Sequence, residues 1–453
     1  MPAAPTRPTG WLTGWDPEDE RAWHDHGRFV ARRNLAGSVL TEHIGFSVWT
    51  LWSVLVLFMT PELGYHHRPG ELFLLVTTPT VVGALLRLPY SRAVVRFGGR
   101  TWTVVSTLAL TAPTLLAAVV VARPRTPMGI LLVVAALTGV GGATFASSMT
   151  NVAAFYPNRA QGWALGVNAG GGNLGVAAVQ LAGLAVVGVA GPGHPELLAY
   201  AYLPLIVIAT VVAARRMDNV AAVRSEPGAL RDALRHPDTW WISLLYIGTF
   251  GSFIGYGFAF GLVLRHEFGA SPRQAVAHTI LGPLLGALCR PLGGLAADRW
   301  GGARVTLWTF LGLAAGTTVL IGAAAAGSFG LFVAGFTALF VLSGIGNGST
   351  YRMIPAAFTH RARTAVRTGA ADARAWARRL SAAVIALAGA VGALGGAAIN
   401  LCFKAAYARG SGIPAFLGFL GYYALCVAVL RLVYLRRKRP DRASEPARET
   451  SHV

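Results

Sequence analysis

Long apolar runs, separated by short polar and basic segments, make up most of the chain. Each run is long enough to cross the roughly 30 Å of hydrocarbon in a bilayer as a helix. Six runs precede a basic segment and six follow it, near residues 40–60, 72–92, 101–122, 128–155, 163–189, 197–214, 239–263, 276–297, 304–325, 330–357, 380–402 and 413–433. The pattern predicts an all-α membrane protein with twelve transmembrane helices in two six-helix bundles.

The spacing of the runs divides the chain into five regions. They are an N-terminal arm, an N-terminal bundle, a basic linker, a C-terminal bundle and a basic tail, at residues 1–38, 39–214, 215–238, 239–433 and 434–453. Lys and Arg are concentrated in the loops on the side of the N-terminus, which predicts that both termini and the linker are cytoplasmic. The arm contains WDPEDERAW, which is typical of an amphipathic helix at the membrane surface or of a solvated arm.

One motif occurs once in each set of six runs. Residues 84–99 read ALLRLPYSRAVVRFGG and residues 287–302 read ALCRPLGGLAADRWGG, which aligns Arg87 with Arg290. Two shorter matches have nearly the same offset: HIG at 43–45 with YIG at 246–248, and GVGGATF at 139–145 with GIGNGST at 344–350. The matches predict two halves related by an axis along the membrane normal, with a site between them at mid-membrane.

The two aligned arginines predict the chemistry of that site. Arg87 and Arg290 lie inside apolar runs and have no carboxylate nearby in the sequence. A charged side chain at the membrane centre costs about 2.5–3.5 kcal/mol on insertion scales. Two unpaired cations at equivalent positions therefore predict a binding site for an anion.

Composition excludes several other classes of protein. With 54% hydrophobic and 13% charged residues, and a mean hydropathy of +0.52, the 453-residue chain is too apolar for a soluble protein. The net charge of +20 is spread between the apolar runs, so it indicates topology rather than nucleic-acid binding. Cys289, Cys402 and Cys426 have neither disulfide nor metal-site spacing. We predict no metal, no cofactor and no enzymatic activity.

Four longer motifs resemble those of the NarK-type nitrate/nitrite porters of the major facilitator superfamily. They are FASSMTNVAAFYP from residue 145, ALGVNAGGGNLGV from 164, YIGTFGSFIG from 246 and GNGSTYRMIP from 346. The opening WDPEDERAWHDHGRFVARRNL and the segment EHIGFSVWTLWSV are similar to the same family, so the resemblance covers nearly the whole chain. It implies the major facilitator fold and alternating-access transport of nitrate and nitrite across the cytoplasmic membrane. We expect a monomer, although the sequence does not fix the oligomeric state.

The resemblance also implies roles for individual residues. The substrate-binding residues would be Arg87 and Arg290, which hold the anion, Phe145 and Phe250, which sandwich it, and Tyr246, Asn173 and Asn168, which complete the pocket. For the last three, hydrogen bonding between helices is an equally good interpretation. The segment GGLAADRWGG resembles the general gating motif of the superfamily, and the gating residues would be Arg96, Gly98, Asp298, Arg299 and Gly301.

The chain departs from the family pattern at one place. Ala143 and Thr144 stand where the family commonly has a glycine followed by asparagine, which leaves the preference between nitrate and nitrite open. Arg352, inside GNGSTYRMIP, is expected at the cytoplasmic mouth of the tenth span, where steering of anions and a structural contact to the gate are the two interpretations, and the contact is the favoured one.

The sequence favours exchange of nitrate for nitrite over proton-coupled uptake of nitrate. Every Asp and Glu is expected in a tail, a loop or the end of a span: Glu42 near the start of the first span, Glu267 in a loop and Asp298 in the gating motif. His43 and His278, near span ends, remain as candidate proton carriers. Two cations without an internal counter-charge should reorient poorly when the site is empty. Proton coupling, and transport of another small anion, remain the alternatives.

Overall fold

The computed structural model describes residues 11–220, 228–365 and 370–436. Two short strands, β1 (Trp11–Leu12) and β2 (Asn219–Val220), accompany a chain that is otherwise almost entirely helical. The helices are α1 (Glu20–Ala22), α2 (Arg28–Trp49), α3 (Trp52–Leu55), α4 (Pro69–Phe97), α5 (Gly99–Ala109), α6 (Thr111–Val121), α7 (Met128–Thr138), α8 (Val140–Phe155), α9 (Asn158–Ala190), α10 (Glu196–Arg216), α11 (Ala229–Arg235), α12 (Pro237–Tyr246), α13 (Ser252–Phe268), α14 (Pro272–Thr279), α15 (Leu281–Trp300), α16 (Gly302–Ala325), α17 (Phe329–Ala365), α18 (Ala370–Tyr407) and α19 (Ile413–Val429). Short 3₁₀ and π-helical turns occupy Pro61–Leu63, Trp23–Gly27, Ile247–Gly251 and Leu430–Leu435.

Among the described residues, eleven helical segments are long and apolar enough to cross a membrane. They correspond to the second to twelfth apolar runs predicted from the sequence. The first run is formed by α2 and α3, and α2 is not a continuous apolar span because it carries charged residues and ends at Trp49. From Thr41 onward, nearly all of α2 is buried against α8, α9 and α10. The first run therefore crosses the interior of the protein.

The repeat seen in the sequence is a repeat of helix packing. Helix α4 packs against α8 in the first half, and α15 packs against α17 in the second. A Cβ atom at Gly344 would collide with the carbonyl of Gly286, and one at Gly139 would approach the carbonyl of Pro79 to 2.9 Å. Glycine at these two equivalent positions lets the arginine-bearing helix of each half approach its neighbour closely.

The N-terminal arm is docked onto the protein. Strand β1 pairs in parallel with β2, and the indole of Trp15 donates a hydrogen bond to the carbonyl of Ala154 at 3.1 Å. Trp23 is buried, in a cluster that includes Phe155 at the end of α8. The arm therefore packs against α8 and β2, and from Glu20 it is helical and leads through the π-helical turn directly into α2, with Trp23 buried between exposed neighbours. The position of this helix at the membrane surface stays a prediction. Helix α2 also begins inside the segment predicted as arm, at Arg28.

The two halves of the bundle meet through several side-chain contacts. A guanidinium nitrogen of Arg265 donates hydrogen bonds to the carbonyls of Leu57, at 2.8 Å, and Val56, at 3.3 Å. The ring of Phe73 stacks on that of Tyr407, with centroids 5.6 Å apart. Between the halves, α4 packs along α18 and α9 packs along α15. The arginines of the repeat lie on α4 and α15, at these contacts.

Candidate anion-binding site

Arg87 is fully buried where the two halves meet. Its Nη1 donates a hydrogen bond to the carbonyl of Gly389 on α18 at 2.6 Å, and its Nε donates to the carbonyl of Gly142 on α8 at 3.3 Å. Its Nη2 is buried and has no partner in the described part of the chain. One edge of this guanidinium is therefore fixed by backbone carbonyls, and one donor remains available.

Arg290 is also buried, at 4% exposure, on α15. Its Nη2 donates to the hydroxyl of Tyr246 at 3.2 Å, whereas its Nη1 finds no partner among the described residues. None of the ion pairs between described residues involves Arg87 or Arg290. Each arginine therefore contributes one buried and unsatisfied N–H group.

Aromatic rings connect the two arginines. The ring centroid of Phe250 lies 5.1 Å from Cζ of Arg87 and 6.0 Å from Cζ of Arg290. Phe145 stacks against Phe250 with centroids 6.1 Å apart and planes inclined by 30°, and Phe145 lies 4.6 Å from Cζ of Arg87. The structure thus brings together the two predicted arginines and the two predicted phenylalanines.

This arrangement fits a small planar anion. A buried donor left without a partner costs about 1–3 kcal/mol, and more when the donor is charged. An anion that accepted hydrogen bonds from both free N–H groups would remove that cost, and guanidinium groups form such bonds in the plane of the anion. The rings would cover the anion and exclude water, which strengthens its attraction to the arginines.

The three remaining residues predicted to bind substrate differ in their surroundings. Tyr246 is buried, accepts the hydrogen bond from Arg290 and stacks on Phe250 with centroids 5.1 Å apart. Asn173 is buried, and its amide oxygen and nitrogen both have no partner in the described chain. The amide nitrogen of Asn168, by contrast, is used within the first half, where it donates to a carboxylate described below.

Thr144, where the family pattern is broken, contacts helix α2. Its hydroxyl donates to the carbonyl of Gly141 in the same helix at 2.6 Å. The same hydroxyl lies against Gly45 of α2, where a Cβ atom would collide with it. Ala143 is fully buried. Thr144 therefore contributes to the crossing of α2 and α8.

Glu42 does not lie where the sequence analysis put it. The side chain is fully buried about four turns from the start of α2. Its Oε2 accepts a hydrogen bond from the amide of Asn168 at 2.6 Å and another from the hydroxyl of Ser148. The prediction that every acidic residue lies in a tail, a loop or a span end is therefore wrong. It failed because α2 begins at Arg28 and because α8 and α9 cover its middle.

The two histidines proposed as proton carriers lie in different places. His43 is partly buried, and its Nδ1 lies 3.2 Å from the carbonyl of Gly171. On the short helix α14, Nδ1 of His278 lies 2.8 Å from the carbonyl of Gln274, and the imidazole packs edge-on against Phe329. His278 thus makes its contacts away from the rings around the arginines.

Sequence reasoning did not identify several residues that surround the arginines. The ring of Trp49 lies 5.7 Å from Cζ of Arg87, and that of Tyr351 lies 5.3 Å from Cζ of Arg290. Both residues stand inside motifs that carried the family resemblance, which was the available signal. No sequence signal marked Gly389. It acts through its backbone carbonyl, which every residue has, and only the packing of α18 against α4 determines which carbonyl meets Arg87.

The predicted gating residues lie at the ends of α4 and α15. Gly98 and Gly301 end these helices with φ angles of +86° and +88°, which favour glycine. Asp298 accepts a hydrogen bond from Nε of Arg352 at 2.6 Å, so Arg352 does contact the gating motif. Two further contacts repeat between the halves: Cζ of Arg96 lies 5.4 Å from the ring of Phe97, and Cζ of Arg299 lies 5.6 Å from that of Trp300.

Within the described residues, no group of three or more His, Cys, Asp or Glu side chains is placed to hold a metal ion. Cys289, Cys402 and Cys426 are free thiols.

Comparison with known proteins identifies the family. The sequence profile of the Major Facilitator Superfamily matches residues 44–385. The nitrate/nitrite transporters NarU of Salmonella typhimurium and of Escherichia coli K12 are each 37% identical to this chain over 449 residues, which cover 94% of the chain and 96% of each relative. The probable nitrate/nitrite antiporter NarK2 of Thermus thermophilus is 32% identical over 375 residues, which cover 78% of this chain and 84% of that protein. The chain therefore belongs to the family of NarU- and NarK-type nitrate/nitrite porters within the Major Facilitator Superfamily.

Proposed function

We propose that this protein transports nitrate and nitrite across the cytoplasmic membrane by alternating access, as a transporter without enzymatic activity. The observation that carries the proposal is the pair of buried, unsatisfied N–H groups on Arg87 and Arg290, which share a wall formed by Phe250. A planar anion with acceptor oxygens in its plane is the ligand that satisfies both donors. The names of the 37% identical relatives support nitrate and nitrite as that anion.

Each residue of the site has a part in this proposal. Arg87 and Arg290 bond the oxygens of the anion, and Phe145 and Phe250 cover it. Tyr246 orients the guanidinium of Arg290 through its hydroxyl. Asn173 adds a polar contact, and Asn168 acts indirectly, through its bond to Glu42. The proposed gating residues, Arg96, Gly98, Asp298, Arg299 and Gly301, control access as the halves move.

Exchange of nitrate for nitrite is the mode of transport that the two arginines support directly. With Glu42 ionised, each half-cycle then moves a carrier in which this carboxylate and the bound anion together balance the two cations, whereas the empty carrier would move one net positive charge through a medium of low dielectric constant. The relative described as a probable antiporter supports the same mode. In this proposal the protein works as a monomer with both termini in the cytoplasm.

Labelled nitrate uptake into proteoliposomes tests the function. Purified full-length protein is reconstituted into vesicles loaded with nitrite, nitrate, chloride or buffer, and the entry of ¹⁵N-nitrate is followed by mass spectrometry. Uptake into nitrite-loaded and nitrate-loaded vesicles, well above that into chloride-loaded ones, is expected. Equal uptake under all loadings, or uptake that chloride competes away at equal concentration, would assign the site to another small anion.

A further inference from the structure

The buried carboxyl group of Glu42 is not used by the anion site as described so far. It lies in the first half, between α2, α8 and α9. Ser148 connects it to the anion site, because the hydroxyl that contacts Glu42 also lies 3.1 Å from the carbonyl of Phe145. Ser148, which contacts Glu42, is therefore one helical turn along α8 from Phe145, whose ring lies 4.6 Å from Cζ of Arg87.

The two oxygens of this carboxyl group differ in their surroundings. Oε2 accepts hydrogen bonds from Asn168 and Ser148, whereas Oε1 is buried and finds no partner within the described chain. Gly172 of α9 faces Oε1, where a Cβ atom would collide with it. A proton added at Oε1 would break neither of the hydrogen bonds that Oε2 accepts, so Asn168 and Ser148 can hold the carboxyl group in both charge states.

Charged groups on other helices interact with Glu42 through their electric fields. Arg87 on α4 and Arg290 on α15 both interact electrostatically with its carboxyl group. Tyr351 on α17 also interacts electrostatically with Glu42. Helices α8 and α9 present the neutral groups of Ser148 and Asn168, and His43 on α2 points to a carbonyl of α9. The charge of Glu42 is thus coupled mainly to the two cations that hold the anion.

The second half has no equivalent group at this position. The repeat that aligns HIG at 43–45 with YIG at 246–248 places Leu245 opposite Glu42, and Leu245 is fully buried. The match of GVGGATF with GIGNGST places Met353 opposite Ser148. A carboxyl group is not required for packing at this place in the fold, which points to a function specific to the first half.

We propose that Glu42 takes up one proton with each anion that enters and releases it on the other side, which gives the carrier a proton-coupled mode in addition to exchange. The inference rests on the proposed transport of nitrate. With Glu42 ionised, two arginines and one carboxylate leave one net positive charge in the empty site. Binding of one nitrate and one proton leaves the same net charge. The empty carrier can then return without an added charge penalty, so net uptake becomes possible.

Binding of the anion and of the proton should favour each other. A bound nitrate weakens the hold of the arginines on the carboxylate, which makes protonation easier. Protonation of Glu42 in turn removes a negative charge that repels the nitrate. By linkage, the two effects are equal in size. The transported pair carries no net charge, so this mode depends on the pH gradient and not on the membrane potential.

The test uses two assays on the same proteoliposomes of full-length protein. The first measures exchange of external ¹⁵N-nitrate for internal nitrite without a pH gradient. The second measures net entry of ¹⁵N-nitrate into nitrite-free vesicles that are acidic outside, with the membrane potential held at zero by valinomycin and equal potassium concentrations. A trapped pH-sensitive dye reports whether protons enter with nitrate. The wild-type protein should give a signal in both assays and acidify the interior.

Glu42→Gln keeps the size of the side chain but cannot exchange a proton. It should reduce proton-driven entry by about tenfold or more, because the titratable group is lost, while exchange continues. Glu42→Asp, which remains titratable, should restore part of the driven entry. Two matched controls, His43→Gln beside it and Glu267→Gln on a loop, should leave driven entry within about twofold of the wild type.

Each outcome decides the proposal. Exchange by the wild type without proton-driven entry or acidification would overturn it and leave the proposed transport intact. Undiminished driven entry in Glu42→Gln would also overturn it, and loss in His43→Gln alone would assign the proton to His43. If Glu42→Gln does not fold, two results still test the proposal. The acidification by the wild type shows whether protons enter with nitrate, and the driven entry in Glu42→Asp shows whether it depends on the carboxyl group at this position. A wild type inactive in both assays would refute the proposed function together with this inference.

Discussion

The two halves of the molecule place an arginine at the same position but surround it differently. Arg87 is held by two backbone carbonyls, one of them on the opposite half, whereas Arg290 is held by the hydroxyl of Tyr246. The first half adds a buried carboxylate, Glu42, where the second half has leucine. The repeat therefore determines the positions of the two arginines, and the neighbours specific to each half determine their hydrogen bonds and the charge balance around them.

The aromatic cover is asymmetric in the same way. Arg87 faces the rings of Trp49, Phe145 and Phe250, which come from three helical segments. The rings around Arg290 belong to Phe250 and Tyr351. The ring of Phe250 is common to both sets, although it lies on the second half. Changes to Phe250 should therefore affect both cations, and changes to Phe145 mainly one.

The largest effect is expected from replacing the arginines by lysine. Lysine keeps the charge but loses the planar fork, and one lost charge-assisted hydrogen bond of about 1.5–3 kcal/mol corresponds to roughly 10- to 150-fold weaker nitrate binding. Arg87→Lys should be the more damaging variant, because it also removes the bond to Gly389 across the halves. Exchange assays on both variants check this, with the exposed Arg273→Lys as control. Near-normal exchange by either variant would contradict a shared site.

The next largest loss of nitrate binding is expected from replacing the phenylalanines that cover the site. Phe250→Ala should weaken nitrate binding by roughly 30-fold, from the loss of about 2 kcal/mol of desolvated cation–π interaction with two guanidinium groups. Phe145→Ala should cost less, because its ring faces Arg87. The concentration dependence of uptake measures both. Phe260→Ala is the matched control, since this ring stacks on Phe336 at 4.1 Å in the apolar core. Equal effects at all three positions would indicate ordinary packing.

A smaller effect, on the stability of the protein, is expected from substituting alanine for either of two glycines on α9. Gly172→Ala should lower stability by about 1–3 kcal/mol, because a Cβ atom there collides with the carboxyl group of Glu42. At Gly170 nothing lies within 4 Å of a Cβ atom, so Gly170→Ala should stabilise the helix by up to about 1 kcal/mol. Thermal unfolding of the purified proteins in detergent compares them. Equal melting temperatures would contradict the tight fit of Glu42 in the first half.

The smallest effect is expected at the gate, where the halves also differ. Asp298 pairs with Arg352, and the repeat places Val95 and Ser147 at the equivalent positions of the first half. Both partners are about half exposed, so Asp298→Asn should change the transport rate by less than about fivefold. Glu20→Gln, which breaks an exposed ion pair with Arg159 outside the gate, is the control. A complete loss of transport in Asp298→Asn would mean that this ion pair is essential for gating.

The sequence by itself determined the fold class, the family and the position of the two arginines. Apolar runs of membrane-spanning length require helices, because a bilayer leaves backbone groups no other partners. The repeated motif then aligned Arg87 with Arg290, and the family motifs singled out Phe145 and Phe250. These inferences depend on residue type and order along the chain, which sequence records directly.

Only the tertiary structure decided which buried polar groups meet. The start of α2 at Arg28 and its cover by α8 and α9 moved Glu42 from a predicted span end to the interior. Packing likewise turned Asn168 toward this carboxylate and Thr144 toward α2. Burial and partner choice depend on which helices approach which face, and a pattern along one helix does not specify its neighbours. For that reason, the charge balance of the site emerged only from the packed helices.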